Sequence, residues 1–303
     1  MGEWWTKFIG KLPNAGIFYP EERWLKLSSY NGKKLWTYRF HRKYPKALIF
    51  IFHGMFSESN DTSHIAKFFY ENGYAVFAID QEGHGRSQGN RGLIKSIEEL
   101  VSDSEKYVLL TKEHYPENTP IFLFGISLGG TIAGQIAILQ SDIINGILLF
   151  APALGLREDF EPLAQKLIQC LSLLCGCFHL SKFDETLSSR NSLYIEYNEE
   201  NPYSYTGKMN ISTAAAVLTG LKMLQKGLIR ISVPVVIVQG GNDNIISYEE
   251  SRKFIEDCGS EDKEFWFYEE MYHDVLFEPE IEEIAYRALE WINCRLASNY
   301  LLK

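Results

Sequence analysis

Short, almost entirely apolar runs recur along this chain and alternate with longer segments that are apolar on one face only. Six of these runs are rich in β-branched and aromatic residues, which is typical of strands; they are residues 47–52, 75–79, 120–124, 147–151, 234–239 and 263–268. Three of the longer segments have helical periodicity, namely residues 97–114, 248–258 and 281–296. Strands that alternate with helices form parallel units, so the pattern predicts an α/β fold with a mostly parallel central sheet flanked by helices.

The alternation is preceded by a predicted hairpin and interrupted once. Residues 24–30 and 34–40 resemble strands and flank Asn31-Gly32, a dipeptide that strongly favours a two-residue turn. Between residues 155 and 231 the alternation stops, which predicts a helical cap inserted between two parts of one core, residues 1–154 and 232–303. We expect a cap helix that begins near residue 160 and carries an apolar stripe, formed by Leu163, Leu167, Leu171, Leu174 and Phe178.

Residues 125–129, Gly-Ile-Ser-Leu-Gly, place a serine between two glycines, directly after a predicted strand and before a predicted helix at residues 131–139. A serine hydroxyl is a weak nucleophile, so an enzyme that uses one exposes it on a sharp turn beside a base and oxyanion donors. The alternative is an ordinary glycine-rich turn, since the pattern alone is common by chance. The strand, turn and helix context favours Ser127 as a nucleophile.

A serine nucleophile on such a scaffold takes its acid and its histidine from loops after later strands, in that chain order. Asp243 follows the strand predicted at residues 234–239, and His273 follows the one predicted at residues 263–268. An acid bonded to one imidazole nitrogen directs the other nitrogen toward Ser127 as a general base. The order of these residues therefore predicts a triad of Ser127, Asp243 and His273.

The other six of the seven histidines are interpreted as structural or surface residues. We expect polar or surface environments for three of them, His41, His64 and His114. His53 and His84 belong to turns after predicted strands, where structural hydrogen bonding is the simpler explanation. His179 ends an apolar cap segment and is expected to pack or to face solvent.

The oxyanion of an ester cleavage needs two backbone N–H donors, one from the residue after the serine and one from the loop after an early strand. Leu128 follows the serine and is the first predicted donor. The strand at residues 47–52 is followed by His53-Gly54-Met55, where the glycine lets the backbone approach the serine. Met55 is therefore the second predicted donor.

Five motifs in order carry a family resemblance over residues 18–297. They are His53-Gly54, residues 80–92, the serine turn, Gly241-Asn242-Asp243 and Tyr272-His273. With residues 189–191 and 201–207 of the cap, they resemble the α/β-hydrolase group that contains monoacylglycerol lipases and lysophospholipases. The resemblance implies an α/β-hydrolase fold and a serine hydrolase of acyl glycerols, with Ser127, Asp243 and His273 at the positions of that group's triad.

Two features depart from that group, and both concern the substrate. The residue before the nucleophile is often polar or histidine in monoacylglycerol lipases, where it helps to hold the glycerol, whereas this chain has Ile126. The oxyanion loop continues with Met55-Phe56 in place of small or polar residues. Tyr197 lies near the group's glycerol-contacting cap tyrosine, offset by an apparent one-residue insertion. Ile126 and Tyr197 are therefore the predicted substrate-binding residues.

Composition argues against several other classes of protein. A net charge of −9 and a pI near 5.4 disfavour a nucleic-acid-binding surface. Cys170, Cys175 and Cys177 lack the spacing of a zinc site, so we expect reduced, buried thiols and no metal. The first residues lack the apolar core of a signal peptide, which predicts a cytoplasmic protein that is peripheral on intracellular membranes.

The predicted function is cleavage of carboxylic esters of acyl chains through an acyl-serine, without a cofactor. Monoacylglycerols or lysophospholipids are the expected substrates. A small-ester carboxylesterase, an acyl-thioesterase or an aminopeptidase of the same fold are the alternatives, with a catalytically silent binding protein as a remote one. The cap stripe becomes apolar nearly all round after Gln169, which predicts peripheral membrane contact; the rest of the cap or a second copy in a homodimer could cover that face instead.

Overall fold

The computed structural model describes residues 21–25, 27, 32–155, 162–175, 178–182 and 184–301. The strands of this part are β1 (Glu21–Leu25), β2 (Leu35–Phe40), β3 (Leu48–Phe52), β4 (Ala75–Ile79), β5 (Ile121–Ile126), β6 (Gly146–Phe150), β7 (His179–Lys182), β8 (Lys208–Asn210), β9 (Val235–Gly240) and β10 (Lys263–Tyr268). Eight of them form the central sheet in the order β1-β2-β4-β3-β5-β6-β9-β10, and β7 pairs with β8.

The last six strands in that order, which are β4, β3, β5, β6, β9 and β10, run parallel to one another. β2 lies antiparallel to β4, and β1 lies antiparallel to β2 at the edge. β3, β4, β6 and β9 are buried along their whole length, because parallel sheets of this kind are covered on both faces. The carboxyl ends of the parallel strands therefore meet at one edge, where ligand sites of such sheets lie.

The helices of the described part are α1 (Ser63–Glu71), α2 (Ile97–Lys112), α3 (Leu128–Leu139), α4 (Pro162–Cys175), α5 (Ser192–Glu200), α6 (Ile211–Gly227), α7 (Tyr248–Asp257) and α8 (Ile281–Leu301). α2, α3 and α7 cover the sheet face that carries Phe50 and Phe52. α1 and α8 cover the opposite face, which carries Ile49 and Ile51. Alternate residues of one strand thus enter two separate hydrophobic cores.

The strands and helices predicted for the core are confirmed, with end points that differ by a few residues. β4 and β10 coincide with the predicted runs, whereas α3 begins at Leu128, three residues earlier than predicted. The predicted hairpin pairing is also confirmed, since β1 and β2 pair antiparallel from Glu21 with Arg39 to Leu25 with Leu35. The predicted turn at Asn31-Gly32 includes a residue that lies outside the described part.

The segment between β6 and β9, for which the sequence predicts a cap, does not continue the alternation of parallel strands and helices. It contains α4, α5 and α6 together with the small antiparallel pair of β7 and β8. α4 packs against α6, and α6 packs against α3 of the core. The predicted cap helix is shorter than expected, since it ends at Cys175 and Phe178 lies outside it; the side chains of Leu163 and Leu174 lie outside the described part.

Two predicted environments are wrong. His64 is only 2% exposed, because α1 turns it inward and its Nε2 bonds the Leu276 carbonyl at 2.8 Å. Cys170 of α4 is exposed rather than buried; the side chains of Cys175 and Cys177 lie outside the described part. In the described residues, no helix combines the length and the apolar character needed to cross a bilayer.

Candidate active site

Ser127 lies in the single-residue turn between β5 and α3, with φ of 49° and ψ of −116°. A positive φ is costly for a residue with a side chain and persists only where the surroundings impose it. Here the Ser127 N–H donates to the Phe150 carbonyl at 3.0 Å, and the Ser127 carbonyl accepts from Gly130 and Ala153 at 2.8 and 2.9 Å. Backbone contacts on both sides therefore hold the serine in the geometry of a nucleophile elbow.

The two glycines around Ser127 are required by close backbone approach. A Cβ atom on Gly129 would lie 2.0 Å from the Phe52 carbonyl oxygen, and one on Gly125 would lie 2.5 Å from the Gly129 carbonyl oxygen. Neither space admits a side chain. The Gly-x-Ser-x-Gly pattern thus follows from packing of the elbow against the end of β3.

Asp243 lies in the loop after β9, and His273 lies in the loop after β10. Asp243 Oδ2 accepts from His273 Nδ1 at 2.8 Å and from Gln239 Nε2 at 2.9 Å. Its Oδ1 accepts from the N–H groups of Ile245 and Ile246, each at 2.9 Å. Since every lone-pair direction of this buried carboxylate is engaged, the imidazole is held in one orientation and its Nε2 is left for another partner.

The contact between Asp243 and His273 changes the pKa of both side chains. Burial alone would lower the pKa of His273, but the charge and hydrogen bond of Asp243 outweigh it and hold that pKa above its ordinary value. Burial would raise the pKa of Asp243, and His273 with the two backbone N–H groups instead holds it below its ordinary value. The Asp243 carboxylate is therefore ionised at neutral pH and stabilises a protonated His273.

Ser127 and His273 line the same pocket, at the carboxyl edge of the sheet. Met55 lines it too, and a Cβ atom placed on Gly54 would lie 3.9 Å from Ser127 Oγ. The loop after β3 thus approaches the serine as predicted from the glycine. Ile126 also lines the pocket, and Leu128 is the first residue of α3.

His53 fixes the loop after β3 through hydrogen bonds of both its ring nitrogens. Its Nε2 accepts from the Gln81 N–H at 3.0 Å, so its Nδ1 carries the proton and donates to the Gly54 carbonyl at 2.7 Å. Burial lowers the pKa of His53 to about 4 and that of His84 to about 3. Both imidazoles are therefore neutral near pH 7, and the structural roles predicted for them fit these contacts.

One wall of the pocket carries a buried carboxyl group that the sequence analysis missed. Asp61 lines the pocket and accepts from the Tyr197 hydroxyl at 3.2 Å. Behind it, Glu58 accepts from Asn201 at 2.8 Å and pairs with Arg86 at 3.1 Å. Burial raises the pKa of both carboxyl groups, and their mutual repulsion raises that of Glu58 further. The wall therefore presents carboxyl oxygens to the pocket.

The cap contributes other residues than predicted. Tyr194 and Asn198 of α5 line the pocket, whereas Tyr197 reaches it through Asp61. Helical spacing places Tyr194, Tyr197 and Asn198 on one face, which is the signal that could have extended the prediction. Three further residues line the pocket although no local sequence pattern indicated that they would, namely Ile245, Leu276 and Phe277. Among the described residues, no group of three or more metal-ligating side chains has the arrangement of a metal site.

Comparison with known proteins relates this site to a family. A family model described as serine aminopeptidase, S33, matches residues 43–280. The monoglyceride lipase of Mus musculus is 26% identical over 257 residues, which cover 84% of each chain. The monoacylglycerol lipase of Mycolicibacterium smegmatis is 26% identical over 249 residues, which cover 82% of this chain and 88% of that protein. The crystal structure of Paleococcus ferrophilus monoacylglycerol lipase matches with a TM-score of 0.75 and 25% identity, over 86% of this chain and 99% of that one.

Proposed function

The chain belongs to the serine aminopeptidase S33 family and has the α/β-hydrolase fold, and from this premise we propose that it cleaves monoacylglycerols into glycerol and fatty acids. The observation that carries the proposal is the convergence of Ser127 and His273 in one pocket, with Asp243 bound to the imidazole at 2.8 Å. Relatives named monoglyceride lipase over most of their length support the substrate class.

The proposed reaction proceeds in two steps through an acyl-serine. His273 Nε2 takes the proton of Ser127 Oγ as that oxygen attacks the ester carbonyl, and the N–H groups of Met55 and Leu128 stabilise the oxyanion. His273 then gives the proton to the leaving alcohol as the carbonyl reforms. Water, deprotonated by His273, attacks the acyl-serine; the bond to Ser127 Oγ then breaks, His273 returns the proton to that oxygen, and the fatty acid is released. Asp243 stabilises the imidazolium that forms in each step.

The pocket walls favour a neutral alcohol over a phosphate-bearing one. Met55, Ile126 and Phe277 supply apolar surface for the acyl chain, whereas Asp61 supplies a carboxyl group. Glycerol hydroxyls can donate hydrogen bonds to Asp61, but a phosphodiester beside it would place like charges together in a poorly solvated site. This observation supports monoacylglycerols over lysophospholipids.

We also propose that the cap contacts the lipid surface from which a long-chain substrate is taken. Leu167 and Leu173 of α4 are 57% and 87% exposed, and the adjacent Phe178 is 59% exposed. Burial of two leucine side chains contributes about 3 kcal/mol or more, which suits weak and reversible binding. The exposed leucines of α4 and the exposed Phe178 are thus the candidate membrane contact.

A substrate panel tests the proposed function. We expect the purified chain to hydrolyse long-chain monoacylglycerols with a higher kcat/KM than lysophosphatidylcholine, short nitrophenyl esters, acyl thioesters and aminoacyl arylamides. Preference for the lysophospholipid would contradict the argument from Asp61. Preference for the arylamide would assign the chain to the peptidase members of its family, and inactivity on the whole panel with no fluorophosphonate labelling would support a silent binding protein.

A further inference from the structure

The backbone on both sides of His273 is held from the cap. The Asp274 N–H donates to the Ser188 carbonyl at 2.7 Å. The Tyr272 N–H donates to Glu278 Oε2 at 3.2 Å, and Glu278 is itself bound by the next two cap residues. His273 is therefore restrained through the residue before it and the residue after it.

Glu278 is fully buried and accepts four hydrogen bonds. Besides Tyr272, its donors are Ser189 Oγ at 2.7 Å, the Arg190 N–H at 2.9 Å and Arg190 Nε at 2.5 Å. A buried carboxylate is tolerated only when it is paired and hydrogen-bonded, so its position follows that of its donors. Three of the four donors belong to the cap, and the fourth is the neighbour of His273.

The same cap segment also holds the rest of the His273 loop. Asn191 Nδ2 donates to the Phe277 carbonyl at 3.2 Å. The ring of Tyr194 stacks on that of Phe277 with 3.6 Å between centroids and 12° between planes. Because Ser188, Tyr194 and Phe277 line the pocket, a substrate contacts the residues that fasten the loop.

The size of the pocket makes this connection relevant to turnover. Its cavity volume is about 90 Å³, whereas sites that enclose a drug-sized ligand usually have about 300 Å³ or more. A long acyl chain is larger than this space, so binding it places the chain against the cap residues that line the pocket. Displacement of the cap part of the pocket wall would move the donors of Glu278.

We propose that Glu278, held by Arg190, is a positioning residue that makes the alignment of His273 depend on the position of the cap. The inference rests on the proposed function, in which His273 is the general base. When residues 188–191 bind Glu278, its carboxylate accepts from the Tyr272 N–H and so keeps the His273 imidazole hydrogen-bonded to Asp243. When residues 188–191 move away, Glu278 loses its cap donors and no longer fixes the backbone beside His273. Glu278 itself does not touch the reacting atoms.

The test compares Glu278→Gln and Arg190→Gln with a matched control on the same arginine. Arg190 also donates to Glu280 at 2.5 Å on the surface, so Glu280→Gln removes a carboxylate from Arg190 but leaves the buried one. On a soluble nitrophenyl ester we expect Glu278→Gln to lower kcat about 10- to 100-fold, because small misplacement of a base costs that much, with KM nearly unchanged. Arg190→Lys should retain more kcat than Arg190→Gln, and Glu280→Gln should resemble the wild type.

Proton NMR provides a readout that does not depend on turnover. The hydrogen bond between His273 Nδ1 and Asp243 should give a low-field resonance, assigned by its absence in His273→Ala. We expect Glu278→Gln to shift or broaden this resonance in a protein whose circular dichroism is native, while Glu280→Gln leaves it in place. If Glu278→Gln does not fold, Arg190→Gln is used for both measurements.

Three results would overturn the inference: an unchanged kcat and resonance in the folded variant, an equal loss in Glu280→Gln, or a lower kcat with an unshifted resonance. Failure of the proposed function is separate from these. It would appear as a wild-type chain that is inactive on esters, and the NMR comparison would then still decide whether Glu278 positions His273.

Discussion

The two walls of the pocket are held in place by different kinds of contact. On the core wall, main-chain hydrogen bonds and glycine packing hold Ser127 at the end of β5, which is buried except at its last residue. On the cap wall, side chains such as Asn201 and Arg190 reach across to buried carboxyl groups, and α4 leaves leucines exposed. Backbone contacts fix geometry whatever the side chains are, whereas side-chain contacts can change with single substitutions. We therefore expect the largest losses of activity from changes around Ser127 and smaller, graded effects from changes to the side-chain contacts.

The largest effect is expected at the reacting atoms of the core wall. Ser127→Ala should lower kcat by about 10⁶-fold and abolish fluorophosphonate labelling, leaving the contributions of binding and oxyanion donors. Because the triad acts as a unit, His273→Ala added to this variant should cost little further. Full labelling of folded Ser127→Ala, or near-normal turnover of His273→Ala, would contradict the assignment.

Asp243→Asn should come next, with a loss of kcat of about 10⁴-fold, since the amide favours the wrong imidazole tautomer. Activity should rise with pH as His273 loses its proton, and Asp243 raises the pKa of that group. The midpoint of the wild-type profile is therefore expected above about 6.5. The residual activity of the variant should have a lower midpoint, and an unshifted profile would point to another acid.

A pair of glycines on α3 tests the packing difference between the two walls. Gly129 meets the backbone of β3, so the Cβ of Gly129→Ala would collide with the Phe52 carbonyl and should cost about 3 kcal/mol or more of unfolding free energy. Gly134 instead meets the end of the Leu224 side chain of α6 at 3.0 Å. Gly134→Ala should change stability by less than about 1 kcal/mol. Denaturant unfolding measures both, and equal costs would reject the distinction.

On the polar side of the pocket, Asp61→Asn should change selectivity. The amide keeps an acceptor but removes the charge, so the ratio of kcat/KM for monoacylglycerol to that for lysophosphatidylcholine should fall about tenfold, equivalent to about 1.4 kcal/mol. Asp142→Asn is the matched control, because Asp142 is exposed beyond the far end of α3. An unchanged ratio in folded Asp61→Asn would refute the charge argument.

The smallest effect is expected on the outer face of the cap. Leu167→Ser with Leu173→Ser should lower activity on long-chain emulsions and liposome co-sedimentation a few-fold, since side chains that only rest on a lipid surface lose less exposed area than fully buried ones, which contribute about 1.5 kcal/mol or more each. Hydrolysis of a soluble short ester should be spared. Leu139→Ser is the control, because Leu139 is also about half exposed but lies on the core. Equal loss on both substrates would indicate damaged folding, and no loss would reject membrane contact.

Local sequence patterns predicted the core well because its strands and tight turns depend mainly on residues that are neighbours along the chain. An apolar run such as residues 75–79 can only be buried, and a glycine on each side of Ser127 permits only a tight turn. Positions after strands then followed from topology, since the ends of parallel strands meet at one edge.

The sequence by itself determined the strand and helix alternation, the serine turn and the chain order of its predicted partners, because each depends on residues that are close along the chain. Only the tertiary structure decided which side chains share the pocket. Asp61 and Tyr197 are separated by 136 positions and Arg190 and Glu278 by 88, and no periodicity relates such pairs. Their proximity results from packing of the cap onto the core, which depends on the whole fold.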